Sequence, residues 1–133
     1  MKFILFVFVF MGIGTAAFAN NPKAEIDMLV RISEIEVYPE YLNEYIKFAK
    51  EVAETSVKNE SGVVAIYPMI QIGNNRKIRI LEIYKNRQSY EKHIASPHFK
   101  KYKEGTLHMV KSLELVDMRQ ISSEIFEKIF KEN

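Results

Sequence analysis

The chain contains no cysteine and no tryptophan, and its 133 residues include only three histidines, four prolines and five glycines. Absence of cysteine excludes disulfides, thiolate metal centres, iron–sulfur clusters and thiol nucleophiles, along with the lipid-bearing cysteine of an exported lipoprotein. The histidines, His93, His98 and His108, lack the tight ligand spacing of a structural zinc site, so no metal is expected. Charge of neither sign prevails: 19 Lys and Arg face 17 Asp and Glu, a formal net charge of +2 to which Lys2 contributes one unit. The basic residues are scattered rather than striped, which removes the electrostatic case for nucleic acid as a partner.

One long apolar run is present, at the start. Lys2 precedes a nearly continuous Phe, Val, Leu, Ile and Met stretch over 3–12, and Ala17-Phe18-Ala19 places small residues where a signal peptidase reads them. Residues 1–19 are expected to be a signal peptide cleaved after Ala19, giving an exported protein, periplasmic or extracellular, with no stable membrane span after cleavage. The apolar run is near the lower limit for crossing a hydrocarbon core of about 30 Å. The remainder suits one domain over 20–121 with a helical extension over 122–133.

Residues 26–37 read as a strand with Met28, Val30 and Ile32 on one face and Leu29, Arg31 and Ser33 on the other. Ile35 and Val37 shift the apolar phase, which predicts a bulge or burial of both faces. Pro39 suits the first turn of a helix. Leu42, Tyr45, Ile46, Ala49, Val52, Ala53 and Ser56 then recur at three- and four-residue spacing, predicting an amphipathic helix over about 39–58. A turn over 59–62 leads to a second strand, 63–72, in which Pro68 demands an edge, a bulge or a change of partner. Gly73-Asn74-Asn75 reads as a hairpin turn. The third strand, 77–84, carries Ile78, Ile80, Glu82 and Tyr84 on one face and Arg79, Leu81 and Ile83 on the other. Asn86 is placed to cap a helix reaching Ala95, Pro97 resets the backbone for a further helix to about Met109, and Leu113 and Leu115 fall in a last strand ending near Met118. Ile125, Phe126, Ile129 and Phe130 mark a terminal helix over 122–131.

Strand, helix, strand, strand, helix, strand is satisfied by a ferredoxin-like α+β sandwich, β-α-β-β-α-β. Its helices cover one face of the sheet. Apolar residues assigned to the other, Leu29, Leu81 and Ile83, favour a homodimer packed sheet against sheet.

Glu82-x-Tyr84, then His93, then Ser96-Pro97-His98-Phe99, after a strand, Pro39 and a long helix, resembles the antibiotic biosynthesis monooxygenase (ABM) domain family. The likeness covers about residues 28–118 and is greatest to the branch of quinol monooxygenases and autoinducer-2-degrading isomerases. It implies a dimeric α/β barrel of ferredoxin-like units, with a cavity between helices and sheet, and in some members oxygenation of aromatic polyketides or quinols without metal or flavin. Haem-degrading relatives carry a helix Trp and an iron-ligating His ten residues later. Here those positions are His93 and Lys103, which makes haem breakdown an unattractive reading.

His93, with an ordinary pKa near 6.5, is suited to exchange a proton with a phenol or enol. Glu82, inward by strand phase, is expected to orient His93 or to act as the base itself. His98 is placed at the mouth of the cavity, and Tyr84, Tyr90 and Tyr102 as an aromatic wall bearing hydroxyl donors. Ser96 reads as a local cap and His108 as solvent-facing. The expected chemistry is cofactor-independent: the base deprotonates a quinol or other phenol, and the anion reduces O₂ as co-substrate inside a dry pocket. Enolisation of a small carbonyl compound at the same site, or ligand binding without catalysis, are the alternatives.

Overall fold

The computed structural model describes residues 28–122. The expected leader lies outside them, as does the terminal helix apart from Ser122. β1 (Leu29–Val37) leads through a 3₁₀ turn at Pro39–Tyr41 into α1 (Leu42–Asn59). β2 (Val63–Gln71) and β3 (Asn74–Tyr84) form a hairpin, followed by α2 (Arg87–Ala95), α3 (Pro97–Thr106), a 3₁₀ turn at Leu107–Met109 and β4 (Val110–Met118). The sheet is antiparallel throughout, in the order β2-β3-β1-β4, with the helices on one face. This is the expected ferredoxin-like arrangement. No helix among the described residues is long and apolar enough to cross a membrane.

Local chemistry accounts for the joints. Gly73 takes a positive φ of 84° in the hairpin, a backbone state open to glycine without steric cost. The turn is tighter than the sequence implies, because Asn74 already pairs with Gln71. Pro68 is accommodated because β2 is an edge strand. The Asn86 side chain accepts the Ser89 N–H at 2.8 Å, capping α2. Ser96 caps α3 by accepting the Phe99 N–H at 3.2 Å, and donates to the His93 carbonyl at 2.6 Å.

Ile35, Val37, Tyr45, Ala49, Ala53, Ile66, Ile78, Ile80, Tyr84 and Met109 form the core between helices and sheet. Two expectations are corrected here. Burial along β1 alternates without a break from Arg31 to Val37, and the inward positions ahead of Ile35 are the polar Arg31 and Ser33, each under 10 % exposed, while the expected irregularity falls between Glu36 and Val37, where the pairing with β4 shifts register. Apolar counting missed the phase because these buried groups are held by acidic partners rather than by apolar contact. Leu29 accordingly packs on the core, not on the open face.

The face away from the helices is carried by Leu81, Ile83 and their neighbours, of which Ile83 at 5 % and Ala65 at 8 % exposure are already buried. Two rows cross all four strands in register, Tyr67-Leu81-Ile32-Val116 and Ala65-Ile83-Val30-Met118. The next row, Met69-Arg79-Glu34-Glu114, is mostly charged, and Arg79 lies 3.8 Å from Glu34. The face is therefore apolar toward the start of β1 and charged toward its end.

Candidate active site

Glu82 sits on the helix-facing side of β3, directly opposite Arg31 on β1. Its carboxylate accepts the Tyr84 hydroxyl at 2.7 Å on one oxygen and the Ser33 hydroxyl on the other. Arg31, although opposite in register, turns to Asp117 at 2.8 Å and lays its guanidinium over the Tyr90 ring, 4.7 Å from the centroid. Burial lowers the affinity of Arg31 for its proton, and the bonds to Asp117 and Tyr90 outweigh that, so the guanidinium stays firmly charged. Glu82 thus keeps hydroxyl partners only among the described residues.

Around it runs a chain of rings. Tyr90 meets Tyr84 edge-on at 5.3 Å, Tyr84 meets His93 at 5.4 Å, His93 meets Phe99 at 5.2 Å, and Phe99 meets Tyr102 at 6.3 Å. Tyr102 closes on Tyr45, hydroxyl to hydroxyl, at 2.5 Å. Burial pushes the phenol pKa of Tyr84 and Tyr45 far up, and the Glu82 charge adds to both. Tyr102 rises to about 12, from burial first and with the Glu82 charge again contributing. These three phenols are hydrogen-bond donors held neutral beside a carboxylate.

An apolar groove of about 670 Å³ opens between α1 and β2, lined by Ile46, Ala53, Val57, Ile66 and Ile78, with Tyr45 in its wall. Ile46, expected inside, stands at 41 % exposure because it forms part of this groove. The wall tyrosine links the groove to Tyr102 and to the field of Glu82.

The expected contact between Glu82 and His93 is not made. His93 is 3 % exposed and directs Nδ1 to Glu60, 2.8 Å from Oε2, while His98 Nε2 approaches the same oxygen at 2.7 Å. Burial would raise the Glu60 carboxyl, but the bonds from His93 and His98 outweigh it and hold its pKa below the ordinary range. His93 reaches the Glu82 group indirectly, through the Tyr84 ring. Tyr84, Tyr90 and Tyr102 stand in the ring chain as expected, His98 stands instead with Glu60, and His108 is exposed, edge-on to Tyr41 at 4.9 Å. Sequence reasoning missed Ser33, Arg31, Tyr45 and Glu60 as polar members. Strand phase could have found Ser33, two residues before inward-facing Ile35; nothing local marks Glu60, the residue after a helix end.

The family model described as antibiotic biosynthesis monooxygenase matches residues 28–105. Among solved structures, a candidate antibiotic biosynthesis monooxygenase from Bacteroides thetaiotaomicron VPI-5482 is similar at 45 % identity and a TM-score of 0.71, over 72 % of this chain and 91 % of that one. A candidate monooxygenase from Lactobacillus acidophilus NCFM is similar at 28 % identity and a TM-score of 0.69, over 73 % of this chain but 46 % of that one. A candidate member from Nitrosomonas europaea, 15 % identical with a TM-score of 0.68 over 73 % of this chain and 93 % of that one, shares the fold. No curated protein matches.

Proposed function

The chain belongs to the antibiotic biosynthesis monooxygenase family, and on that premise we propose that it oxygenates a quinol or other small electron-rich phenol without an organic cofactor. The observation that carries this reading is Glu82, a carboxylate with only hydroxyl partners among the described residues, whose charge acts on the Tyr45–Tyr102 pair, of which Tyr45 borders an apolar groove. The substrate ring enters between α1 and β2. Its phenolic oxygen is held by the tyrosine hydroxyls, and Glu82 takes its proton. Sequestration in an apolar site favours electron transfer from the resulting anion to O₂ and protects the intermediates from water. For a quinol, a ring C–H becomes C–OH and the two phenolic C–OH groups become quinone C=O; one oxygen atom of O₂ enters the product, the other leaves as water, and the substrate supplies all four electrons. His93, fixed by Glu60 and packed on Tyr84, is a positioning residue in this scheme.

Members of this family typically dimerise. The apolar row Tyr67-Leu81-Ile32-Val116, which is not buried within the chain as Ala65 and Ile83 are, is the surface through which this chain is proposed to pair with a second copy. Work takes place outside the cytoplasm, by the chain beginning at Asn20.

Oxygen uptake with a panel of quinols and phenols tests the reading. Glu82→Gln, which keeps the shape and removes the base, is expected to lower kcat by about 10²–10⁴ fold. Equal uptake by wild type and variant rejects Glu82 as the base. Turnover of a small carbonyl substrate under strict anaerobiosis, lost in the same variant, would replace oxygenation by enolisation.

A further inference from the structure

Glu60, His93 and His98 come from three different elements and converge. Glu60 is the residue following α1, His93 lies in the last turn of α2 and His98 in the first turn of α3. Both imidazoles spend a nitrogen on one carboxylate oxygen, Oε2, at 2.8 and 2.7 Å, and among the described residues no group bonds Oε1. One donor atom from each residue fits within a span of 4.8 Å. The His93 ring is fixed between Tyr84 and Phe99, so its Nδ1 is aimed at this point by packing as well as by the carboxylate.

We propose that Glu60, His93 and His98 form a binding site for one divalent first-row transition-metal ion of the zinc type. Two imidazole nitrogens and one carboxylate oxygen are a donor set that such ions accept, with bonds of about 2.0–2.2 Å and a further position left to water. Tetrahedral bonds of that length separate neighbouring donors by about 3.4 Å. The two nitrogen–oxygen separations, 2.8 and 2.7 Å, need to open by roughly 0.6–0.7 Å, and the 4.8 Å span of the cluster to close by about 1.4 Å. Glu60 in a turn and His98 at the rim, each less than one-fifth exposed at the side chain, supply that movement while His93 stays fixed. The bound ion ties the exit of α1 to the α2–α3 break. The inference stands apart from the oxygenase reading, which does not use the ion.

The test is metal occupancy. The full chain, stripped with chelator, is titrated with Zn²⁺ by calorimetry and with Co²⁺ by its visible d–d absorption. The expected result is one ion per chain, with affinity falling at least tenfold in Glu60→Gln and in His98→Ala. Zn²⁺ at a hundredfold excess over the wild-type Kd should also raise the unfolding midpoint of wild type by about 10 °C and that of His98→Ala by no more than about half as much. His98 is used because it lies at the rim; His93→Ala opens the core and would confound binding with unfolding. No binding at micromolar metal, or equal binding by wild type and both folded variants, overturns the proposal. Because the readout is not turnover, either result leaves the role of Glu82 where the oxygen-uptake experiment puts it.

Discussion

Tyr45, Tyr84 and Tyr102 share the space around the Glu82 carboxylate, and their neutrality has a measurable cost at high pH. Burial raises all three phenols, Tyr102 to about 12, whereas in the unfolded chain each ionises near its ordinary value of about 10. Between those values the unfolded chain releases protons that the folded chain keeps, so stability present below about pH 10 is lost as pH rises. Urea unfolding from pH 8 to 11.5 is expected to show a steep decline above pH 10, and Tyr102→Phe should flatten it by up to about 1.4 kcal/mol per pH unit. An unchanged slope would place Tyr102 in contact with water. At this scale, half of the site was legible. Strand alternation put Glu82 and Tyr84 on the inward face, and helical spacing put His93 with the aromatic residues. Which carboxylate meets which imidazole was not, since Glu60 and His93 are 33 positions apart and meet only once α1 and α2 are folded against the sheet.

The joint between the first half of the chain and the second depends on a close approach of elements. A Cβ built on Gly62 falls 2.5 Å from the Ser89 Cβ, and Ser89 cannot retreat, because its N–H and hydroxyl are both held by the Asn86 side chain at 2.8 and 2.9 Å. The Gly62 carbonyl also accepts the Lys85 N–H at 2.9 Å. Gly62→Ala should therefore push α2 away from the start of β2 and cost about 1–3 kcal/mol. A thermal midpoint equal to wild type would show that the helix start is free to shift. Element order, the capping of α2 by Asn86 and the restart of α3 at Pro97 could be read from local chemistry, where cap and breaker residues act within three positions. The phase of β1 was legible only by counting back in twos from Ile35, because the partners that hold Arg31 and Ser33 inward, Asp117 and Glu82, lie far along the chain.

On the whole molecule, the sheet face away from the helices is divided between two apolar rows and the charged row Met69-Arg79-Glu34-Glu114. Leu81 lies at the centre of one apolar row, between Tyr67 and Ile32. Leu81→Lys places a charge where a second copy would have to exclude water. Light scattering should find wild type at twice the chain mass and the variant at the chain mass, with far-UV dichroism unchanged. A variant of undiminished mass would move the interface elsewhere. Pro68 sets a limit on how such copies can associate. It occupies the outer strand of the sheet and lacks the N–H that an incoming strand would need there. Growth by adding strand to strand is discouraged along that border, while face-to-face pairing consumes its own surface. The molecule is thereby steered toward a closed assembly and away from open-ended fibres.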